Sequence, residues 1–224
     1  MPVTFQRARN EEQREARRQA ILRTAAAMLA EMPVADLSLN ELSRRVGLAK
    51  SNVLRYFETR EAVLLELLDQ AWREWLDVLT EEPAPDGTAP VAERVEHVAA
   101  VLARTLEARP MLCELGSASS AVLERNVSAE AAARFKRATL ADMETFGRLV
   151  RTVVPELTDL AATRFAMATV LVAGSLWAYS RPSPAMLAAY EADPALAAMR
   201  LDFPEALREL LATLLAGLLA RPPA

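Results

Sequence analysis

Apolar residues recur at every third or fourth position along most of this 224-residue chain, which is the spacing of an amphipathic α-helix. No stretch alternates apolar and polar residues as a β-strand does, so the sequence predicts an all-α protein. Proline, glycine and capping residues divide the pattern into helices over about residues 10–31, two short helices within 38–57, and then 60–81, 91–107, 111–125, 128–154, 158–180, 184–191 and 204–220. The predicted domains are an N-terminal three-helix head, residues 1–60, and a C-terminal helical bundle, residues 61–224.

Residues 38–57 have the pattern of two short helices joined by a tight turn. Ser38 and Glu41 match the S-x-x-E capping box that starts many helices. Gly47 stands where a turn needs a residue that tolerates positive φ. The second helix has an apolar inner face and a polar outer face: the inner residues are Leu48, Val53, Leu54 and Phe57, and the outer residues are Lys50, Ser51, Asn52 and Arg55. Such an outer face suits insertion into the DNA major groove, although glycine-turned helix pairs also occur in proteins that never bind DNA.

This region resembles the DNA-binding head of the tetracycline-repressor (TetR) family of bacterial transcription regulators. The residues that carry the resemblance are Ser38, Gly47, Leu48, Ser51, Tyr56, Phe57 and Arg60, and the match covers about residues 15–66. One position departs from the family, which usually has a DNA-contacting tyrosine where this chain has Leu54. The resemblance implies a helix-turn-helix head, a ligand-binding and dimerisation bundle, and a homodimeric repressor of a palindromic operator in double-stranded DNA.

The resemblance also assigns roles to individual residues. The expected DNA contacts are Ser38, Lys50, Ser51, Asn52, Arg55, Tyr56 and Arg60. Within that set Lys50, Asn52 and Arg55 are expected at base edges, whereas Ser38, Tyr56 and Arg60 are expected at phosphates. The helices over 158–180 and 204–220 are expected to pair with their twins in a homodimer, through Leu171, Leu207, Leu211, Leu214 and Leu218. The alternative is that these leucines only complete a monomeric core.

Charge is unevenly distributed along the chain. Residues 1–60 hold 11 Lys/Arg and 7 Asp/Glu, a net of +4, whereas residues 61–224 hold 15 and 23, a net of −8. A basic head on an acidic body fits phosphate neutralisation at one end of the molecule. A solvated basic face without a partner is the alternative explanation of this modest excess.

The composition of the chain indicates a cytoplasmic protein. The single Cys113 excludes an intramolecular disulfide and fits a reducing compartment. The arginine-rich N-terminus is not followed by an apolar run, so no signal peptide is expected. The longest uncharged run lies between Arg164 and Arg181, and it is shorter than the ~20 apolar residues of a typical membrane span. We interpret it as a buried bundle helix, with no membrane partner.

A ligand-responsive regulator needs a binding site for its effector. The body contains residues that suit a small apolar effector. The candidate pocket residues are Trp75, His97, Met111, Cys113, Met143, Phe146, Met167 and Trp177. The same residues at helical spacing also describe an ordinary core, and only the family resemblance favours a pocket. No cofactor and no metal site is predicted.

Catalysis has little support in the sequence. His97 and Cys113 lie sixteen residues apart on different predicted helices, without a third partner or a local motif around either. The P-loop and GxGxxG motifs are missing as well. The alternative to a ligand-responsive repressor is therefore an effector-free architectural or division-linked DNA-binding protein.

Overall fold

The computed structural model describes residues 3–119 and 122–221, and this part of the chain is helical with short connections and no strand. The helices are α1 Val3–Leu29, α2 Leu39–Val46, α3 Lys50–Val53, α4 Arg60–Glu81, α5 Val91–Glu107, α6 Pro110–Ser119, α7 Ala129–Val153, α8 Asp159–Tyr179, α9 Pro184–Ala192, α10 Pro194–Ala197 and α11 Phe203–Leu219. Two 3₁₀ turns cover Val34–Asp36 and Leu123–Arg125. The predicted all-α fold is confirmed.

Local capping chemistry sets several of these helix starts. Thr59, Ser128 and Thr158 each accept a hydrogen bond of 3.1–3.2 Å from the backbone N–H three residues further on. Each side chain thereby satisfies one of the amide donors that a helix N-terminus leaves without a partner. Helices α4, α7 and α8 therefore begin one residue after these caps.

Parts of the predicted helix pattern differ from the structure. Helix α1 begins at Val3, well before residue 10. The helix predicted over 111–125 ends at Ser119 and is followed by the second 3₁₀ turn, with residues 120–121 outside the described residues. The proline-rich stretch after α8 holds the extra short helix α10, because Asp193 accepts from the Ala195 N–H and Pro194 can occupy the first helical position.

The head is built from α1, α2 and α3, with the first turns of α4 packed against them. Its buried core contains Ile21, Leu22, Ala25, Leu42, Val53, Phe57, Val63 and Leu64. The later turns of α4 pack on α6 and α7, so this single helix belongs to both the head and the body. The domain boundary predicted between residues 60 and 61 lies at the first residue of α4.

The body consists of the later turns of α4 and the longer helices α5, α6, α7, α8 and α11, of which α5, α6 and α7 pack on α4. Helix α11 packs on α5 and α8, while α8 also packs on α6 and α7. Helices α9 and α10 pack on each other, and neither contains a buried residue. The body therefore has a densely packed centre, and the segment that contains α9 and α10 lies outside it.

Helix α8 is the one described helix that is long and apolar enough, by length and composition, to cross a membrane. Residues on one side of it, including Phe165, Ala166 and Thr169, are fully buried against the rest of the bundle. This burial is typical of a core helix, which passes the same test of length and composition.

Candidate nucleic-acid interface

The turn between α2 and α3 has the geometry of a helix-turn-helix. Ser38 accepts a 3.2 Å hydrogen bond from the Glu41 N–H and starts α2. Gly47 ends this helix in the left-handed region, with φ 73° and ψ 29°, and the Leu48 N–H donates to the Ser43 carbonyl at 3.0 Å. A side chain with a Cβ is strained at this φ, so glycine permits the sharp reversal that starts α3.

The reciprocal half of the predicted capping box is replaced by ion pairs. The Glu41 carboxylate accepts from Arg44 Nε at 2.8 Å and from Arg45 Nε at 2.9 Å. The hydrogen bonds from Arg44 and then Arg45 lower the pKa of Glu41 to about 2. Two of the head's basic residues are therefore paired with a carboxylate.

The polar face predicted for the second short helix is exposed, although α3 itself ends at Val53 and Arg55 lies in the turn that follows. Lys50, Ser51, Asn52 and Arg55 are all exposed, while Val53 and Phe57 are buried beneath them. The prediction that Leu54 belongs to the inner face is wrong, because this side chain is 40% exposed. An apolar contact point therefore lies among the hydrogen-bonding groups of the outer face, where a thymine methyl group would be a suitable partner.

A second basic element lies beside this face and was not predicted from the sequence. Arg14 and Arg17 of α1, together with Gln13, line a groove of about 420 Å³ whose opposite wall is Arg55 and Tyr56. Among residues 3–119 and 122–221, none of these three arginines is paired with a carboxylate. The i, i+3 spacing of Arg14 and Arg17 was visible in the sequence, but their position next to α3 depends on how α1 packs.

The other predicted DNA contacts occupy different environments. Ser38 is exposed, and Tyr56 is half-buried against the head core. Arg60 is turned inward: its guanidinium donates to the Val34 carbonyl, and its Nη1 lies 3.6 Å from the Glu61 carboxylate. A phosphate contact would have to compete with these internal partners, so we propose a contact within the head for Arg60 in place of the predicted phosphate contact.

A hydrogen bond between a side chain and the backbone connects the end of the head to helix α7 of the body. The Glu58 carboxylate accepts from the backbone N–H of Ser128 at 2.8 Å. This hydrogen bond lowers the pKa of Glu58. We call residues 50–58 the recognition segment. Because Ser128 also caps α7, the C-terminal end of this segment is connected directly to the first turn of a body helix.

Side chains fill the centre of the body, where the effector pocket was predicted. Trp72 and Trp75 stack with ring centroids 4.7 Å apart, and Phe146 lies 5.2 Å from Trp75. The Trp75 indole N–H donates to the Thr105 hydroxyl at 2.9 Å. Trp75, Phe146 and Met143 are therefore packed core residues in this structure.

The eight predicted pocket residues do not converge on one cavity. His97 and Phe146 line a cavity of about 180 Å³ between the end of α4, α5 and α7. Met111 and Trp177 line a cleft of about 540 Å³ between the end of α1 and helices α6 and α8. Met167 is wrongly placed by the prediction, because it is 56% exposed on the outer side of α8.

Cys113 and His97 do not form a reactive pair. The Cys113 thiol is buried and donates to the Leu106 carbonyl at 3.4 Å. Burial raises the pKa of Cys113 to about 12, which removes the thiolate needed for nucleophilic chemistry. Within residues 3–119 and 122–221, no three His, Cys, Asp or Glu residues group in a way that could hold a metal ion.

The predicted dimer residues also divide into two sets. Leu171 is 67% exposed, and Leu214 and Leu218 are half-buried at the edge of the core. Leu207 and Leu211 are fully buried, because they face α5 and α8 of the same chain. Their prediction as dimer contacts is therefore wrong, whereas the exposed apolar residues Leu160, Met167 and Leu210 lie on the outer faces of α8 and α11.

Two family sequence models match this chain over nearly its whole described length. Residues 21–67 match the model described as bacterial regulatory proteins, tetR family. Residues 69–222 match the model described as tetracyclin repressor-like, C-terminal domain. The first match contains α2 and α3, and the second contains the body.

Individual relatives match over different lengths. The HTH-type transcriptional regulator EthR of Mycobacterium tuberculosis is 40% identical over 68 residues, which are 29% of this chain and 32% of that protein. The match thus spans about a third of the length of this curated relative. Among solved structures, a TetR transcriptional regulator from Rhodococcus sp. RHA1 matches with a TM-score of 0.56 and 15% identity, over 92% of this chain and 98% of the other. A TetR/AcrR family regulator from Thermobifida fusca matches with a TM-score of 0.52 and 19% identity, over 92% and 100%. These structures share the fold of this chain.

Proposed function

Because this chain belongs to the tetR family of bacterial regulatory proteins, we propose that it is a sequence-specific DNA-binding repressor that acts as a homodimer and responds to a small molecule. Such a protein works on chromosomal DNA and is therefore expected in the cytoplasm. The proposal assigns the outer face of α3 to the operator and the body to the input.

One observation carries the proposal. Lys50 and Asn52 are exposed on α3, and Arg55, just after it, lines a groove with Arg14 and Arg17 of a different helix. Lysine and arginine pair well with guanine, and asparagine pairs well with adenine, so α3 has side chains suited to base edges. The α1 arginines would then lie over the phosphates that flank the groove and fix the register of α3.

Exposed apolar side chains on the outer surface of the body support the proposed homodimer. Met167 and Leu171 on α8 and Leu210 on α11 are large apolar side chains that are 43–67% exposed. Burying them against a second copy removes apolar surface from water and holds two heads at a fixed distance. Two recognition helices about 34–36 Å apart would read two half-sites of a palindrome on one side of the DNA.

We place the effector response at the junction between the head and the body. The cleft of about 540 Å³ has Met32 and Pro33 on the head side, and Met111 and Trp177 on the body side. A small apolar ligand that widened this cleft would move the head relative to α8 and favour one dimer geometry over the other. The packed aromatic centre would transmit such a shift as a unit, because close-packed side chains do not deform continuously.

The experiment is selection of genomic fragments by the purified protein, followed by binding measurements over a range of salt concentrations. We expect one palindromic site, and an affinity that falls steeply with salt because several phosphates are contacted. The double variant Arg14→Ala/Arg17→Ala should flatten the salt slope by about two, and Arg125→Ala/Arg137→Ala, two exposed arginines of the body, is the control. Absence of any preferred site would refute the proposed function.

A panel of apolar small molecules then separates the two regulatory alternatives. Release of the operator by one compound supports a ligand-responsive repressor. Specific binding that no compound alters supports an effector-free DNA-binding protein, for which the packed centre of the body is the favouring observation.

A further inference from the structure

An apolar segment connects α8 to α11 and contributes no residue to the buried core of the body. Residues 183–201, which we call the arm, contain α9 and α10. None of them is buried, and the large apolar side chains Met186, Leu196, Met199 and Leu201 are 38–66% exposed. Scattered exposed apolar residues are ordinary, but four within sixteen residues form a surface that usually has a partner.

The two ends of the arm meet at one point of the body. Trp177, near the end of α8, and Phe203, at the start of α11, contact each other edge to face with ring centroids 5.0 Å apart. The arm therefore begins and ends at neighbouring positions on the body. The core residues of α8 and α11 pack together without any buried residue of the arm.

The arm is joined at both ends to helices that carry exposed apolar side chains of the body. The outer side of α8 runs through Met167 and Leu171 to Tyr179, which is 75% exposed and lies next to the arm. The arm returns to α11, whose outer side exposes Leu210. A second copy seated on α8 and α11 would therefore meet the arm at its edge.

The charge of the arm argues against other partners. Its residues charged at neutral pH are Glu191, Asp193 and Arg200, a net of −1. Nucleic acids and anionic lipid surfaces attract basic segments, so neither suits this one. An apolar protein surface suits it, and in a twofold pair each arm is presented to the same region of its twin.

We infer that the arm clasps a second copy of this chain at the rim of the α8–α11 face. The inference rests on the proposed homodimer and extends it, because it gives the interface a second layer outside the two-helix contact. In that arrangement Met199, the most exposed of the four apolar side chains of the arm, becomes buried only in the dimer.

The test is sedimentation equilibrium of the full-length protein and three variants. Met199→Glu should raise the dimer dissociation constant about tenfold or more, since two copies of a buried apolar side chain are lost in each dimer. Replacement of residues 184–200 by a short glycine-serine linker should raise it further. Leu140→Glu is the matched control, because Leu140 is 59% exposed on α7, away from the arm. Circular dichroism of each variant at monomeric concentration checks that the helical content of the body is retained.

Each outcome is decisive. A wild-type protein that stays monomeric at all concentrations refutes the proposed homodimer, and the clasp with it. A wild-type dimer whose dissociation constant does not change in Met199→Glu or the linker variant refutes the clasp and leaves the homodimer standing. Loss of folding in the linker variant also refutes the clasp, because it would mean that the arm supports its own monomer.

Discussion

The carboxylate of Glu58 accepts a 2.8 Å hydrogen bond from the backbone N–H of Ser128 and thereby joins the recognition segment to the first turn of α7. The two residues are seventy positions apart in the chain. Because the serine hydroxyl also caps α7, the orientation of the head depends on a hydrogen-bond network that the body controls. Movement of the N-terminal end of α7 would be transmitted to the head through this bond.

Glu58→Ala should lower operator affinity by about 2–10-fold, the effect of losing one net hydrogen bond that holds the head in place. The hydrogen bond depends on the charged carboxylate, whose pKa is lowered, so its contribution is complete at neutral pH and disappears as pH falls through that lowered pKa. Fluorescence anisotropy with an operator duplex measures the effect. Glu74→Ala, an exposed glutamate on α4, is the control, and equal affinities for both variants would contradict a positioning role for Glu58.

Arg55→Ala should reduce discrimination between operator and random DNA by roughly 1–3 kcal/mol, because a base-reading arginine makes bonds that a wrong sequence cannot accept. Arg55 is exposed in the turn that follows α3 and lines the groove with Arg14. Parallel titrations with operator and scrambled duplexes separate the two effects. If both affinities fall equally, Arg55 is a phosphate contact.

Arg60→Ala should destabilise the protein by about 1–3 kcal/mol, since its charged guanidinium donates to the Val34 carbonyl from a mostly buried position. The salt dependence of DNA binding should not change. Urea unfolding and salt titrations measure the two quantities. Arg73→Ala, which breaks an exposed pair with Asp69 on the same helix, should be close to neutral. A salt slope flattened by about one in Arg60→Ala would return this residue to the phosphate contacts.

Asp142→Asn should stabilise the protein by roughly 1–3 kcal/mol at pH 8 and have little effect near pH 4. Burial, and then the nearby charge of Asp69, raises the pKa of Asp142 to about 6, and its Oδ2 has no hydrogen-bond partner among the residues that the structure describes. The folded state therefore holds this proton more tightly than the unfolded chain, so stability falls as pH rises from about 4 to about 6. Thermal unfolding across this range tests the prediction, with the exposed Asp77→Asn as the control. A pH-independent difference would mean that Asp142 does not titrate in this range.

Leu171→Lys should yield folded monomers with weak operator binding, because a 67% exposed side chain contributes to a partner and little to its own core. Leu211→Lys should instead unfold the body, since a charge would be placed where exposure is zero. Size-exclusion chromatography and circular dichroism distinguish the two results. A normal dimer in Leu171→Lys would remove α8 from the interface.

Helix periodicity and capping residues predicted the fold well because both act locally. Ser38, Thr59, Ser128 and Thr158 each hold the N–H groups of their own helix, so nothing distant can alter their effect. Leu207 and Leu211 could not be assigned to a side of α11, because the helix is apolar over more than half its circumference. Which leucines face inward was settled by the packing of α5 and α8.

The remaining features of the site depend on distant contacts. Arg60 had the right spacing for a phosphate contact, but the Val34 carbonyl, twenty-six residues earlier, takes its guanidinium. Arg94 is buried and donates to the carbonyl of Val153, across fifty-nine residues, so an arginine in the sequence does not by itself mark a surface. The groove of Arg14 and Arg17 arises in the same way from the packing of α1 beside α3.

The parallel indoles of Trp72 and Trp75, tilted by only 4° from each other, give this protein an optical signal of its own. Two stacked chromophores couple their electronic transitions, and the resulting circular dichroism in the indole bands depends steeply on their separation and angle. Trp177, which lies in the cleft beneath Arg181, contributes a third indole in a different electrostatic setting. A compound that entered the aromatic centre would change the coupled signal, and one that bound at the cleft would change the emission of Trp177. Optical spectra of the unlabelled protein would therefore show whether a compound binds in the aromatic centre or in the cleft.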